Sequence, residues 1–280
     1  MKHKISIVTP VFNDWDCLQF LISDIGKALD NSLYTIHVLA VNDCSSEIPP
    51  DAFVIPKNII FERLDLVTNV GHQRAILIGL CHLHEKQIDS QHIVVMDSDG
   101  EDRPKYINQL LETSKSSGHN KVVFANRTKR SETWVFKTFY VFYKILFRLL
   151  TGVRISFGNF SCIPISILSR ICNEPDFWNH YSSAMIKSRI YYEVVSTERG
   201  ERYTGDSKMN INSLILHGLS SLSVYIESII IRILKINFII LFILILCATF
   251  VVYIKYSTTL AIPGWASYTF GIIFNILFTI

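Results

Sequence analysis

Short apolar runs alternate with amphipathic segments along the first two thirds of the chain. The apolar runs have the length of β-strands and cover residues 5–9, 36–41, 59–64, 92–96, 122–125 and 190–195. The segments between them are typical of helices and cover residues 15–29, 73–83, 104–114 and 177–188. Strands that alternate with helices of this length predict βαβ units and a mostly parallel sheet. We therefore expect an α/β fold.

Polar residues and turn signals stand where several of these strands end. Pro10 follows the first strand and is expected to stop it, Asp43 follows the second, and Asp97 follows the run that starts at His92. The carboxyl ends of parallel strands lie at one edge of the sheet, where ligands of open α/β folds bind. One ligand at this edge is therefore expected to contact several of these residues.

A cluster of carboxylates fills the segment from Asp97 to Asp102. Asp97 and Asp99 lie two positions apart, and Gly100 lets the backbone turn. Carboxylates this close repel each other unless a cation lies between them. The segment therefore indicates either a divalent metal ion that holds a diphosphate or a solvated acidic loop. It does not fit an EF-hand calcium loop, because Gly100 is fourth rather than sixth and Asn108 stands where Glu is required.

Composition and motifs narrow the function further. Lys and Arg exceed Asp and Glu by only three, which gives no reason to expect nucleic acid as a partner. The six cysteines are scattered without a C-x-x-C pair, so we expect free thiols and no structural zinc site. Neither a Walker A motif nor G-x-G-x-x-G after the first strand is present. An acidic metal site remains as the way to hold a nucleotide diphosphate.

The last quarter of the chain is much more apolar than the rest. Residues 222–235 mix charged with apolar side chains and predict a helix in the membrane interface. Residues 236–256 are almost uniformly apolar, and at about 1.5 Å per residue they can span a hydrocarbon core of about 30 Å. Residues 266–280 predict a second, shorter apolar helix. We therefore expect a membrane hairpin over residues 236–280.

Charged residues beside the first span predict its orientation. Arg232 and Lys235 precede the span, and Lys255 lies at its other end. Because positive charge is retained on the cytoplasmic side, this asymmetry favours a cytoplasmic catalytic domain.

Five motifs occur in the order and spacing of the family 2 glycosyltransferases. They are Thr9-Pro10-Val11-Phe12-Asn13-Asp14, Val41-Asn42-Asp43-Cys44-Ser45, Asn69-x-Gly71 with Gly79, Asp97-Ser98-Asp99-Gly100-Glu101-Asp102-Arg103-Pro104, and Asn126-Arg127. Over residues 5–232 the chain resembles the branch of dolichyl-phosphate mannose synthase and bacterial polyprenyl-phosphate glycosyltransferases. The resemblance implies a GT-A-like, doubly wound sheet that binds a nucleotide-sugar, and metal-dependent sugar transfer.

The resemblance also implies roles for individual residues. The nucleotide would contact Pro10, Phe12, Asn13, Asp43, Gly71 and Asp97. A divalent ion, Mg²⁺ or Mn²⁺, would be held by Asp97, Asp99 and Glu101, the last standing where the branch often has a metal-binding Gln. Catalysis would involve Asp97, Asp99, Asp102 and Arg127. The acceptor or its phosphate would meet Arg130, Asn159, Arg202 and Lys208. For the basic residues, a solvated surface loop is the alternative.

One departure from the branch concerns the catalytic base. The branch often reads Gly-Asp-Phe-Arg where this chain has Gly158-Asn159-Phe160-Ser161, and an amide cannot act as a base at neutral pH. A polyprenyl phosphate acceptor is already anionic and needs no strong base. A hydroxyl acceptor would need one, and the candidates would be Asp102, Asp176 or His180.

These observations predict a membrane-anchored inverting glycosyltransferase that moves a sugar from a nucleotide-sugar to a lipid, with polyprenyl phosphate as the acceptor. The alternatives are transfer to a saccharide or glycolipid hydroxyl, and a catalytically silent, membrane-anchored nucleotide-sugar binder. The expected organisation is a nucleotide-sugar half over residues 1–126 and an acceptor half over 127–221, followed by the two membrane segments. A homo-oligomer is left open.

Overall fold

The computed structural model describes residues 2–30, 32–127, 134–154, 157–205, 211–257 and 264–279. The chain divides into two units. The first unit is Met1–Ile145 with Val153–Val224, and the second is Leu146–Gly152 with Tyr225–Ile280.

A seven-stranded sheet forms the centre of the first unit. Its strands are β1 His3–Val11, β2 Tyr34–Asn42, β3 Ile59–Asp65, β4 His92–Val95, β5 Val122–Arg127, β6 Ser161–Pro164 and β7 Tyr192–Thr197. Their order across the sheet is β3-β2-β1-β4-β6-β5-β7. Among these strands only β6 is antiparallel, to both β4 and β5. The predicted α/β fold with a mostly parallel sheet is confirmed.

Helices cover both faces of the sheet because alternate strand residues are apolar on each side. The helices of this unit are α1 Trp15–Ala28, α2 His72–Glu85, α3 Ile107–Ser116, α4 Trp134–Thr151, α5 Ile165–Asn173, α6 Tyr181–Lys187 and α7 Ile211–Ser223, with α4 continuing into the second unit. In β1, Ile5 and Ile7 belong to the core cluster that includes α1 and α3. Val8 belongs to the opposite cluster, which includes α2, α5 and α6. Burial on both faces explains why the strands read as apolar runs rather than as alternating patterns.

Several predicted boundaries differ from the structure. Pro10 does not stop β1, which continues to Val11 with Pro10 opposite Val41. On its other side β1 has lost its partner, because β4 ends at Val95 opposite Val8. A proline that lacks an N–H is tolerated where a strand has a neighbour on one side only. The helices α5 and α7 were not predicted.

The second unit contains two long apolar helices, α8 Ile226–Ser257 and α9 Trp265–Thr279, which pack against each other. The structure shows no break between the predicted interfacial segment 222–235 and the predicted span 236–256, because α8 is one continuous helix of 32 residues. Within the described part of the chain, α8 alone is long and apolar enough to cross a membrane. With 15 residues α9 is shorter than a full span.

Candidate functional site

The carboxyl ends of the parallel strands bring distant parts of the sequence to one edge. Here β1 ends at Val11, β2 at Asn42, β4 at Val95 and β5 at Arg127. Because β6 runs in the opposite direction, its first residues lie at the same edge, and Asn159 directly precedes them. The sequence motifs therefore meet where open α/β sheets bind their ligands.

The acidic segment after β4 folds into a loop held by its own carboxylates. Asp102 is 1% exposed, and its Oδ2 accepts a hydrogen bond of 3.0 Å from the backbone N–H of Asp97. Oδ1 of Asp99 accepts one of 3.0 Å from the N–H of Glu101. Gly100 has a φ of +93°, which favours glycine. Asp102 therefore holds the backbone of the loop from a buried position. A side chain that acts as a base must reach the substrate, which a buried Asp102 does not.

Negative charge accumulates in this loop. The side chains of Asp97 and Asp99 are 26% and 21% exposed. Burial, and after it the charge of Asp97, raise the pKa of Asp99 to about 7, despite the hydrogen bond from Glu101. Buried carboxylates that repel each other and offer hard oxygen donors fit a divalent cation.

The carboxylates do not form a complete metal site by themselves. Within the described ranges, no three His, Cys, Asp or Glu side chains converge so as to hold a metal ion. Ions such as Mg²⁺ usually take only one or two carboxylates from the protein and complete their shell with phosphate oxygens and water. Two aspartates therefore fit a cation that arrives together with a diphosphate.

A segment from Arg199 to Gly205, which we call the arginine loop, lies directly on the acidic loop. The backbone N–H of Tyr203 donates to the carbonyl oxygen of Asp99 at 2.9 Å, and that of Gly200 donates to the carbonyl of Glu101 at 2.8 Å. A Cβ on Gly200 would lie 2.1 Å from the carbonyl oxygen of Gly100. The approach of the two loops therefore requires glycine at position 200.

Arginines from this loop neutralise part of the acidic charge. Arg199 forms an ion pair with Glu101, the predicted third metal ligand. Arg202 contacts Oδ2 of Asp99 at 3.3 Å and both oxygens of Asp14 at 2.5 and 2.6 Å. Asp14 stands at the N-cap position of α1, but its side chain makes no cap hydrogen bond.

The end of β2 shapes the turn that leads into α2. The carboxylate of Asp43 is buried and accepts backbone hydrogen bonds from Val70 at 2.7 Å and from Gly71 at 3.0 Å. Burial raises the pKa of Asp43, while these two hydrogen bonds lower it. Gly71 has a φ of +89°. Asp43 therefore holds the turn at Val70 and Gly71, which the resemblance places beside the nucleotide.

The remaining predicted nucleotide residues line the same edge. Phe12 is 43% exposed, whereas Pro10 is buried. The amide of Asn13 bridges to the loop after β2: Nδ2 donates to Ser46 at 3.0 Å and Oδ1 accepts from the N–H of Glu47 at 3.0 Å. These contacts tie the loops after β1 and β2 together.

A polar group on the other side of the acidic loop was not predicted. His72 begins α2, and its Nε2 lies 3.1 Å from Oδ1 of Asp97 and 3.0 Å from Nδ2 of Asn159. Burial of the ring lowers the pKa of His72, but the carboxylates of Asp97, Asp99 and Asp102 raise it by more. The pKa of His72 is therefore above its ordinary value. The available signal was its position, directly after the Asn69-x-Gly71 motif at the strand-end edge.

The remaining predicted site residues either lie outside the described part of the chain or have other partners. Arg127 is the last residue of β5, but its side chain lies outside the described part of the chain, as do Arg130 and Lys208 entirely. Asp176 is paired with Lys187 at 2.9 Å. His180 caps α6, and burial lowers its pKa to about 3, which makes it a poor proton acceptor.

Sequence comparisons place the chain among known glycosyltransferases. The family model described as Glycosyl transferase family 2 matches residues 6–171, more than half of the chain. An uncharacterized glycosyltransferase of Synechocystis sp. is 24% identical over 289 residues, which cover 98% of this chain and 86% of that protein. The undecaprenyl-phosphate 4-deoxy-4-formamido-L-arabinose transferase of Proteus mirabilis is 26% identical over 224 residues, covering 76% of this chain and 65% of that enzyme.

The fold has counterparts among solved structures. Glucosyl-3-phosphoglycerate synthase from Mycobacterium tuberculosis, solved in complex with Mn²⁺, uridine diphosphate and glucosyl-3-phosphoglycerate, matches with a TM-score of 0.57. The match covers 81% of this chain and 80% of that one at 12% identity. At this identity the likeness concerns the fold, and it agrees with the predicted GT-A-like architecture.

Proposed function

The chain belongs to glycosyl transferase family 2, and we propose that it transfers a sugar from a nucleotide-sugar to a polyprenyl phosphate at a membrane. The proposal rests on one observation: the acidic loop, the turn held by Asp43 and the arginine loop meet at the same edge of the sheet. The arrangement suits a nucleotide diphosphate, which needs a cation for its charge and hydrogen-bond donors around it. The similarity to the undecaprenyl-phosphate transferase of Proteus mirabilis supports an undecaprenyl-type phosphate as the acceptor.

The acceptor follows from the chemistry of position 159 together with the second unit. Asn159 offers no base at neutral pH, and His180 and Asp176 are engaged elsewhere. A phosphate acceptor is itself an anionic nucleophile and needs no proton removed, whereas a sugar hydroxyl does. The helix α8 would hold the enzyme beside a lipid of this kind.

Each group at the edge has a task in the proposed reaction. When bound, a divalent cation would neutralise the diphosphate leaving group, and Asp97 and Asp99 are the residues that would hold it. Asp102 keeps the acidic loop in shape, and Asp43 orients the start of α2. Arg202 is a charge-assisted donor that can pair with phosphate oxygens. Arg127, Arg130 and Lys208 remain proposed partners of the phosphates.

The proposal is tested with membranes that contain the full chain. They are incubated with a panel of labelled nucleotide-sugars and undecaprenyl phosphate, with free sugars and glycolipids as alternative acceptors. We expect labelled polyprenyl-phosphate sugar with one donor and release of a nucleoside diphosphate. Label on a saccharide or glycolipid hydroxyl alone would overturn the proposed acceptor. Binding of a nucleotide-sugar without transfer to any of them would favour the silent binder.

The anchoring is part of the same proposal. We propose that α8 spans the membrane with the first unit on the cytoplasmic side, in agreement with Arg232 and Lys235 near its start. A second span by α9 and a homo-oligomeric state are separate hypotheses. Labelling of single introduced cysteines from either side of the membrane tests the orientation.

A further inference from the structure

A network of polar side chains, which we call the α6–α7 network, joins these two helices. Nδ1 of His180 lies 3.2 Å from the backbone nitrogen of Ser183 and 3.1 Å from its Oγ, and Oγ of Ser183 lies 2.6 Å from Oγ of Ser221. On the other side of the ring, Nε2 of His180 lies 3.3 Å from Nε2 of His217. His180, Ser183 and Ser221 are buried, whereas His217 is only partly buried. The network therefore ends at a ring that solvent can reach.

The first turn of α6 fixes the direction of these hydrogen bonds. The backbone N–H of Ser183 can only donate, so Nδ1 of His180 accepts and carries no proton. The proton of this ring is therefore on Nε2, from which it is donated to Nε2 of His217. Because Nε2 of His217 accepts, the proton of the second ring is on Nδ1. Burial lowers the pKa of His180 to about 3 and lowers that of His217 as well, so both rings are neutral at pH 7.

This assignment makes Nδ1 of His217 a donor that can serve a ligand. Within the part of the chain that the structure describes, His217 has its hydrogen bond to His180 and no acceptor at Nδ1. The ring also has no lone pair to offer, because Nε2 accepts from His180 and Nδ1 is protonated. It is therefore not the base that a hydroxyl acceptor would need. A donor of fixed orientation without a protein partner suits a ligand that presents acceptor oxygens.

The two residues after His180 tie α6 to the acceptor side of the candidate site. The backbone N–H of Tyr181 donates to a side-chain oxygen in the first turn of α2 at 2.8 Å. Oγ of Ser182 donates to the carbonyl oxygen of Gly158 at 2.9 Å. Gly158 directly precedes Asn159, for which the resemblance implies a contact with the acceptor. The α6–α7 network therefore stands beside the place where the acceptor is expected.

The helix α7 has two different sides. On one side, His217 is near enough to the acidic edge for the charges of His72 and Asp97 to act on its pKa, in opposite directions. With 3.6 residues per turn, Ile215 and Leu219 lie on the opposite side of α7, and both are more than half exposed. A helix with a polar side toward the site and an exposed apolar side suits the boundary between a lipid and its headgroup.

We propose that His217 binds the phosphate of the acceptor lipid through its Nδ1–H, and that His180 is a positioning residue that holds this ring. The inference rests on the proposed function, because the phosphate is that of the polyprenyl acceptor. A hydrogen bond to an anionic phosphate oxygen is stronger than one between neutral groups. A neutral imidazole orients the phosphate and leaves the negative charge of the attacking oxygen in place.

Two substitutions of His217 separate the phosphate contact from the contact with His180. The amide of His217→Gln reaches the place of Nε2 and can accept from His180, but it leaves no donor at the place of Nδ1. The shorter amide of His217→Asn puts a donor near the place of Nδ1 and loses the contact with His180. His180→Asn keeps a favourable cap for α6 but does not reach His217. His84→Gln, near the end of α2, is the control.

The test measures binding of the acceptor. The purified full chain in detergent is titrated with undecaprenyl phosphate and, as the uncharged reference, with undecaprenol. We expect His217→Gln to weaken binding of undecaprenyl phosphate at least about tenfold and to leave binding of undecaprenol unchanged. His217→Asn should stay within about threefold of the unaltered chain for undecaprenyl phosphate, but melt at a lower temperature. His180→Asn should weaken it by about threefold, because the ring of His217 loses its orientation.

The outcomes separate this inference from the proposed function. His84→Gln should bind both lipids as the unaltered chain does, and melting curves show whether each variant is folded. If His217→Gln binds undecaprenyl phosphate as tightly as the unaltered chain, or more tightly than His217→Asn, the ring only joins α6 to α7 and the proposed function stands. Unchanged affinity in His180→Asn overturns its positioning role. If the unaltered chain binds undecaprenyl phosphate no better than undecaprenol, this inference and the proposed acceptor are both overturned.

Discussion

The two ends of the central sheet treat buried polar groups in opposite ways. At the amino ends of the strands, Nε2 of His3 lies 3.0 Å from Nδ1 of His92, and Nε2 of His92 lies 3.0 Å from Nδ1 of His119 and 3.1 Å from Oγ of Ser114. Burial, with smaller contributions from nearby cationic groups, lowers the pKa of His92 to about 3, so His92 is neutral at pH 7. At the carboxyl ends, the same physical cause raises the pKa of Asp99 to about 7.

The difference separates a structural network from the candidate binding site. The side chains of His3, His92, His119 and Ser114 at the amino ends form hydrogen bonds with one another. At the other end, several carboxylates lie close together and repel each other. Two of them form ion pairs with arginines that stand about 100 residues further along the chain. Such an excess of one charge is costly to stability and is useful only when a ligand of the opposite charge binds. The predictions below test this division.

The largest effect is expected at the carboxyl ends. Asp99→Asn removes a charge that the proposed cation needs, so transfer should fall by about a thousandfold, which corresponds to the several kcal/mol that a bound metal contributes. Transfer of labelled sugar to undecaprenyl phosphate measures it. Asp89→Asn is the control, because Asp89 is an exposed acid near the amino ends, paired with Lys4. Retention of a tenth of the activity by Asp99→Asn would contradict the assignment.

The amino ends should show the reverse behaviour. His92→Ala removes a fully buried ring and leaves the partners of three hydrogen bonds unsatisfied, so we expect a loss of about 2–4 kcal/mol in the free energy of unfolding. Urea unfolding in detergent, followed by tryptophan fluorescence, measures the loss. The specific activity of the folded fraction should stay within about twofold of the unaltered chain. A loss of activity with unchanged stability would mean that the two ends are functionally coupled.

The sequence predicted the fold well because the signals of a parallel sheet are local. Apolar runs and turn residues placed six of the seven described strands, all except β6, and the motifs at their ends lie at one edge of the sheet, as predicted. What could not be predicted are contacts that depend on how separate segments meet. The ion pair between Arg199 and Glu101, and the position of His72 beside Asp97 and Asn159, join residues far apart in the sequence.

Local rules also failed where tertiary contacts were stronger. Asp14 has the position and chemistry of a helix cap, but a bidentate pair with Arg202 is a stronger interaction than one cap hydrogen bond. Asp43 stands where the resemblance implies a nucleotide contact, and in the structure its carboxylate accepts hydrogen bonds from two backbone N–H groups. In both cases the residue type was informative, while its partner was not visible in the sequence.

Mild acid should destabilise the first unit mainly through its buried histidines. The folded pKa of His92 is about 3, below the ordinary value of 6.5, so only the unfolded chain gains a proton as the pH falls through that window. Each such histidine therefore costs about 1 kcal/mol of stability between pH 6.5 and 5.5. Asp99 acts in the opposite direction, because its pKa is raised to about 7 in the folded chain, and it offsets about one histidine's share. Glu62, whose pKa is lowered to about 2 as hydrogen bonds from Lys86 and His82 outweigh its burial, contributes stability that is lost only below about pH 4.5. Urea unfolding at several pH values measures the slope.

The comparison within this experiment uses His92→Gln. We expect a smaller slope between pH 6.5 and 5.5 in this variant, because one of the protons taken up on unfolding is removed. The slope should not vanish, since burial also lowers the pKa of His180 to about 3. An unchanged slope would mean that His92 gains its proton equally in the folded and unfolded states.

The smallest effect is expected for the ion pair between the two loops. Glu101 and Arg199 have side chains 18% and 31% exposed, so their pairing is partly shielded and should contribute about 1 kcal/mol to holding the arginine loop. Glu101→Gln and Arg199→Gln should each weaken nucleotide-sugar binding by about fivefold, and the double variant should be no worse than either one. Isothermal titration of the four proteins with the donor measures the coupling.

The same pair distinguishes an anchor from a metal ligand. If Glu101 only holds the arginine loop, Glu101→Gln leaves the affinity for Mn²⁺ unchanged, and Arg199→Gln reproduces its effect on the donor. If Glu101 were a ligand, its change to Gln would alter Mn²⁺ affinity, while Arg199→Gln would release the carboxylate and strengthen metal binding. The two hypotheses predict different results for Arg199→Gln. Removing the guanidinium leaves Mn²⁺ affinity unchanged if Glu101 only holds the arginine loop, but it increases Mn²⁺ affinity if Glu101 is a ligand. Mn²⁺ titrations of both variants therefore decide which task the third acid of the loop performs.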